Sequence, residues 1–218
     1  MTPSEQRGDA TPFLPERRSL TALREAAAGC RGCHLHEPAT QTVFGEGPAK
    51  APIALVGEQP GDREDREGRP FVGPAGRELD QALERVGIDR SDVYITNVVK
   101  HFKFEERGRR RIHQSPKRFE VDACSPWLRA ELAAVEPEVL VILGATAGKA
   151  LLGSRFRLGD VRGRPIESDL APLVTATMHP SAILRARDDE TRYAEREAFT
   201  ADLELVARAV AQPSRVSR

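Results

Sequence analysis

Four times in this chain a short apolar run stops abruptly in turn chemistry, and three of those stops carry acid, amide or imidazole side chains. Ala51-Pro52-Ile53-Ala54-Leu55-Val56-Gly57 runs into Glu58-Gln59-Pro60-Gly61-Asp62, and Asp92-Val93-Tyr94-Ile95 into Thr96-Asn97-Val98-Val99-Lys100-His101. Glu138-Val139-Leu140-Val141-Ile142-Leu143 ends in Gly144-Ala145-Thr146-Ala147, and Leu173-Val174-Thr175-Ala176-Thr177 in Met178-His179-Pro180-Ser181. Such runs read as buried strands, and ligands of parallel sheets bind where the strands end. Residues at these stops are therefore the candidates for chemistry.

A second chemistry lies in the cysteines. Cys30 and Cys33 form a C-x-x-C, and Cys124 stands alone far downstream. In a reducing compartment a structural disulfide is disfavoured, which leaves free thiols, a redox pair, or an iron–sulfur or zinc centre. A structural metal site takes four protein ligands, so three thiols leave one corner for a histidine. His34 and His36 stand too close to Cys33 to be independent corners and read as an exposed loop pair. His101, after the second apolar run, can approach Cys124 from another segment.

Helix-like stretches separate the apolar runs: Ala75 to Val86, Phe119 to Val135, Thr146 to Leu152 and Arg192 to Ala211. A further short helix, Leu20 to Ala28, precedes the C-x-x-C, with Ser19 to cap it and Gly29 to end it. Alternating strand and helix predicts a three-layer α/β/α sandwich around a central four-stranded parallel sheet, with right-handed crossovers bringing the polar stops to one rim. At 218 residues one domain suffices. We expect that domain over residues 19–211, with mobile tails at 1–18 and 212–218, where Pro, Gly and charge mix without periodicity.

No apolar stretch is long enough to span a bilayer and no basic-then-apolar leader is seen, so a cytoplasmic protein is expected. The absence of heptads suggests a monomer. The 33 basic and 33 acidic residues cancel, which removes a whole-molecule field for nucleic acid but leaves room for a local patch. Basic residues crowd between Lys100 and Arg118, Arg109-Arg110-Arg111 among them, with Phe102 and Phe104 interleaved.

The string Gly57-Glu58-Gln59-Pro60-Gly61-Asp62, followed by Glu64-Asp65, Gly68 and Pro70-Phe71-Val72-Gly73-Pro74-Ala75-Gly76, resembles the first motif of family 4 uracil-DNA glycosylases. Thr96-Asn97-Val98-Val99-Lys100 is similar to that family's second motif, and Met178-His179-Pro180-Ser181 to its leaving-group motif. Cys30, Cys33 and Cys124 align with its iron–sulfur ligands. Two departures resemble the UdgX branch: His101 stands where the common pattern has cysteine, and the basic loop Arg109-Arg110-Arg111-Ile112-His113 is added, with Arg109 in place of that branch's lysine. Gln59 after Glu58 also resembles that branch.

The resemblance implies a uracil-DNA glycosylase-like fold with an iron–sulfur-stapled amino-terminal segment, the [4Fe–4S] cluster being held by Cys30, Cys33, Cys124 and His101. It implies uracil in DNA as substrate and a covalent outcome at His113. Cleaving the bond between uracil and deoxyribose puts positive charge on the sugar and negative charge on the base. Phe71 is then a stacking surface for the base, Asn97 a donor and acceptor for its Watson–Crick edge, and His179 a donor to the oxygen where charge gathers. Gly57, Gln59 and Asp62 fall to substrate binding, and Glu58 to stabilising the sugar cation or orienting a nucleophile. The acids Asp62, Glu64 and Asp65 read most simply as a solvated face, with Glu64 also a candidate wall against the thymine methyl. A neutral His113 near C1′ is a competent nucleophile whose adduct resists water. Arg109, Arg110, Arg111 and Ser181 fall to DNA contact, giving affinity rather than base choice. Single-stranded DNA is the easier substrate, because an unpaired base costs less to extrude. The cluster has no part in bond cleavage. The competing readings are a hydrolytic glycosylase with multiple turnover, His113 being a bystander, and a non-catalytic, metal-stapled DNA-binding module.

Overall fold

A computed structural model describes residues 8–211; residues 1–7 and 212–218, parts of the two expected tails, lie outside the described residues. The strands are β1 (Ile53–Gly57), β2 (Val93–Asn97), β3 (Phe104–Arg107), β4 (Arg110–His113), β5 (Val139–Leu143), β6 (Pro165–Ile166) and β7 (Leu173–Thr177). The helices are α1 (Leu20–Ala27), α2 (Asp62–Glu67), α3 (Pro74–Arg85), α4 (Arg118–Val135), α5 (Ala145–Leu152), α6 (Leu158–Val161), α7 (Ser181–Leu184) and α8 (Asp189–Ala211).

The central sheet has the order β2-β1-β5-β7-β6. Its first four strands are parallel, and β6 runs antiparallel to β7. The four apolar runs are thus the four parallel strands, and they are buried on both faces, which is why they read as continuous rather than alternating. Ala54, Val56, Tyr94, Leu140 and Ile142 join the core beneath α1, α4 and α5. Their neighbours Ile53, Leu55, Ile95, Val141 and Leu143 join the core beneath α3, α7 and α8. The result is a three-layer sandwich.

The structure corrects the expected architecture at three points. The sheet has five strands, not four: the short β6 closes the edge, where a proline can lie because its missing N–H breaks no ladder bond. The basic segment expected as a loop is a hairpin, β3 against β4, with a two-residue turn whose first residue, Gly108, has φ 61°. The expected amino-terminal tail is docked over its described part: Ala10 is buried, its N–H donates to Ala123 O at 2.9 Å, and Phe13 and Leu14 pack on the core. Among the described residues no helix is long and apolar enough to cross a membrane.

Candidate active site

A cavity of about 800 Å³ opens where the parallel strands end, lined by Glu58, Phe71, Asn97, His113, Thr146 and His179 among others. Strand register explains the gathering. Gly57 pairs with Asn97 across β1 and β2, and Leu143 with Thr177 across β5 and β7, so each chain leaves the sheet at the same height.

Gly57 leaves room for two of these groups. A Cβ there would lie 2.4 Å from Asn97 Oδ1 and 2.8 Å from Phe71 Cζ. Phe71 holds φ at 56°, a left-handed conformation that an aromatic residue rarely adopts, and Gly76 is the reason it can: a Cβ on Gly76 would meet Phe71 O at 1.7 Å. Asn97 Oδ1 is buried and has no hydrogen-bond partner among the described residues.

His179 lies over Phe71, with ring centroids 5.7 Å apart. Its Nδ1 accepts from the Ser181 N–H at 3.2 Å and contacts Ser181 Oγ at 2.8 Å. A backbone N–H can only donate, so Nδ1 is unprotonated and the neutral ring carries its proton on Nε2. Burial, then Arg185 and His113, pulls the His179 pKa down to about 4. Arg185 Nη1 donates to Ser181 Oγ at 3.0 Å, making a chain from guanidinium to hydroxyl to imidazole.

Glu58 Oε2 accepts from Thr146 Oγ1 at 2.5 Å. Its other oxygen, Oε1, is buried and has no hydrogen bond among the described residues, and His113 Nε2 stands 3.5 Å from it. The His113 side chain is 50% exposed. Burial holds its pKa below the ordinary value, with Glu58 opposing and Arg185 adding to the effect.

The Uracil DNA glycosylase superfamily pattern matches residues 44–204, three quarters of the chain and all four rim stops. The chain belongs to that superfamily. It is 40% identical over 173 residues to the Type-4 uracil-DNA glycosylase of Pyrobaculum aerophilum, covering 76% of this chain and 85% of that protein. To the Type-4 uracil-DNA glycosylase of Thermotoga maritima it is 41% identical over 174 residues, 79% and 87% of the two chains. To that of Sulfurisphaera tokodaii it is 38% identical over 176 residues, 76% of each.

Several residues of this superfamily member take places other than those expected from sequence. Glu64 and Asp65 are buried, not part of a solvated face. Glu64 accepts from the N–H groups of Gly61 at 3.1 Å and Gly73 at 2.9 Å, so both its oxygens serve the loop. Arg111 is not a free phosphate-binding cation: its guanidinium contacts Asp62 at 2.5 Å and Asp65 at 2.6 Å, and lies 4.9 Å from the Phe104 ring centroid. Two carboxylates and an aromatic face hold it more firmly than solvent would. Asp62 is therefore spent partly on this clamp as well as lining the cavity. Ser181 turns its hydroxyl inward to His179 and Arg185. Gln59 lines the cavity, but its amide bonds hairpin backbone, to Lys103 O and Gln114 O at 3.1 Å each. Arg109 and Arg110, by contrast, are exposed at the hairpin turn and enter no ion pair among the described residues. Thr146 and Arg185 were not picked out from sequence for these roles.

The three thiols approach one region. Cys30 Sγ accepts from Trp127 Nε1 at 3.2 Å and Cys124 Sγ from the Lys100 N–H at 3.3 Å. Burial pushes the Cys33 thiol up and the Cys124 thiol up to about 12, with Cys30 adding to the first rise and Cys33 and Cys30 to the second. His101 is buried, with Nε2 2.9 Å from Thr42 Oγ1. Among the described residues, no three His, Cys, Asp or Glu side chains are already drawn together as a metal-binding group. His34 and His36 are half-buried rather than exposed, His34 pairing with Glu120 at 3.2 Å.

Proposed function

We propose that this chain excises uracil from DNA, preferring single-stranded DNA, and then joins itself through His113 to C1′ of the deoxyribose left behind. Membership of the superfamily and the names of the Type-4 relatives support the excision. The unpartnered Asn97 Oδ1 supports the choice of base. An orphaned buried acceptor costs about 1–3 kcal/mol. The N3–H of uracil relieves that cost, whereas cytosine presents an acceptor at the same position. Phe71 offers its face to the ring, and the Nε2–H of His179 donates to the oxygen that gains charge as the bond to the sugar lengthens.

One observation supports the covalent step: an imidazole whose pKa burial keeps below the ordinary value stands at the cavity rim, 3.5 Å from a carboxylate oxygen that has no hydrogen bond among the described residues. The C1′–N1 bond breaks with its electron pair leaving on uracil, and the unprotonated nitrogen of His113 gives its lone pair to C1′. The imidazolium so formed sheds its remaining N–H proton to solvent, and the uracil anion takes up one. Glu58 faces the positive charge that passes through the sugar. An imidazole alkylated on nitrogen is a poor leaving group, so each molecule acts once.

Incubation with a uracil-containing single-stranded oligonucleotide should give a species that survives boiling in detergent, with one uracil freed per protein. A thymine oligonucleotide should give neither, and His113→Ser should free uracil without the attachment. Repeated turnover without an adduct would establish the hydrolytic reading instead. Equal binding of undamaged DNA with no uracil released would establish the binding module.

The cofactor implied by the resemblance, a [4Fe–4S] cluster, would be held by Cys30, Cys33, Cys124 and His101. Three sulfurs that influence one another electrostatically, two of which already accept N–H donors, fit such a donor set. When bound it would supply a structural tie and no electron transfer, since substitution at a sugar needs none. Brown protein with broad visible absorption and bound iron is the expected result; colourless, zinc-loaded protein would refute it.

A further inference from the structure

The capture step depends on how firmly His113 is held, and His113 does not belong to the central sheet. It is the last residue of β4, at the open end of the hairpin, paired with Phe104. The next residues outward are Lys103 and Gln114, joined by a bond from Gln114 N–H to Lys103 O at 3.0 Å. Gln59 grips this base from the cavity side through both carbonyls, and accepts from the Lys103 N–H at 3.3 Å.

Glu120, in the first turn of α4, grips the same base through the Lys103 side chain. This carboxylate is only 1% exposed. Its Oε2 accepts from Lys103 Nζ at 2.8 Å and from the Lys117 N–H at 2.5 Å, and its Oε1 lies 3.2 Å from His34 Nε2. A carboxylate at this helical position needs to serve only its own helix entrance, which a solvent-exposed one does equally well. Burying it is costly unless every oxygen is paired. Here the pairing reaches three separate segments: the turn after Cys33, the hairpin base and the entrance to α4.

We propose that Glu120 is a positioning residue for capture: through Lys103 it fixes the hairpin base, and so sets how often the sugar cation is taken by His113 rather than by water. The proposal rests on His113 being the nucleophile. Asn97, Phe71 and His179, which meet the base, lie on strand ends and rim loops and not on the hairpin. Loosening the base therefore alters capture and leaves excision in place.

The test is a single-turnover reaction of the full chain with a uracil-containing single-stranded oligonucleotide, with uracil released and DNA attached measured in the same tube. Glu120→Gln keeps the shape of the side chain and removes the charge. We expect uracil release to match the parent chain while the ratio of attached to free abasic DNA falls about 10- to 100-fold, the scale of a displacement near 1 Å. Lys103→Met should lower the ratio at least to the same degree, and the double variant no further than Lys103→Met, because all three remove the same charge-assisted contact. Lys103 is partly exposed, so that variant decides the matter if Glu120→Gln does not fold. An unchanged ratio in variants of an adduct-forming parent overturns this proposal alone. So does a parallel fall of release and attachment, which would make Glu120 a general support. A parent that frees uracil and never attaches overturns the role of His113 and this proposal with it.

Discussion

Gly57→Ala isolates the geometry of base recognition from the stability of the fold. The strand carries Gly57 at a φ that any residue adopts, since it is not among the positive-φ glycines, so the substitution adds a methyl group and no backbone strain. That methyl would sit 2.4 Å from Asn97 Oδ1 and 2.8 Å from Phe71 Cζ. Ordinary carbon contacts begin near 3.5 Å, so the amide oxygen must retreat by about 1 Å and the ring by somewhat less. Both are side-chain ends able to turn away, which places the stability loss at the low end of overpacking, about 1 kcal/mol. In a chain of this size that lowers Tm by about 2–4 °C. Turning away is what recognition cannot tolerate. A misplacement near 1 Å costs about 100-fold in rate, equivalent to about 2.7 kcal/mol in the transition state. Single-turnover uracil release at saturating protein, with thermal melting beside it, separates the two effects. Release within about threefold of the parent, in a folded variant, would refute the account of Gly57 as the space that Asn97 and Phe71 require.

Thr146→Val should slow uracil release and adduct formation together by about tenfold, since it removes the only hydrogen bond that the Glu58 carboxylate receives among the described residues, and Thr146→Ser should restore both. His113 and His179 have folded pKa values below the ordinary 6.5. As pH falls below 6.5 the unfolded chain takes up those protons first, so the stability these residues contribute is lost from there downward, for His179 until about 4. The acid limb of adduct formation should accordingly have its midpoint below 6.5, where an ordinary histidine is half protonated, and uracil release should fall with a midpoint near 4; a midpoint at 6.5 for either would contradict the burial argument. Arg185→Gln should move both acid limbs to higher pH, because this guanidinium disfavours protonation of both imidazoles.

The sheet and its rim were legible because strands buried on both faces write themselves as unbroken apolar runs, and because the turn residues after them are few. Asn97, Glu58 and His179 each sit at such a stop, and the cavity brings all three together. The hairpin was not read. Its strands are four residues each and carry mostly charge, so no period-two pattern stood out, although Gly108 followed by Arg109 between Phe104 and Ile112 is the turn signal that would have found it. The burial of Glu64 and Asp65 was hidden for a different reason. Arg111 lies 46 positions beyond Asp65, and an acid's solvent exposure cannot be inferred before its distant partner is placed. Arg185 left a local trace: it falls four residues after Ser181, the spacing at which side chains meet on a helix. Residues 8–18 look like tail in sequence because only Ala10, against α4, and the partly buried Phe13 and Leu14 anchor them, too few to make a period.

The proposed excision and capture rest on parts of the molecule with different means of support. The groups proposed to meet the base stand on or beside strands whose register is fixed by a continuous ladder, so their backbone places follow the sheet. His113 stands on a two-stranded hairpin that shares no ladder with the sheet. An isolated hairpin is at best marginally stable in water, so its geometry has to come from side chains: Gln59 and Glu120 at the base, and Arg111 clasped by Asp62 and Asp65 midway along it. Each of these is a contact that one substitution removes without touching the sheet. Attachment to DNA should therefore be the property most easily lost by mutation, with uracil release surviving in most such variants, and substitutions at the strand ends should show the opposite order only if capture could proceed without prior release of the base.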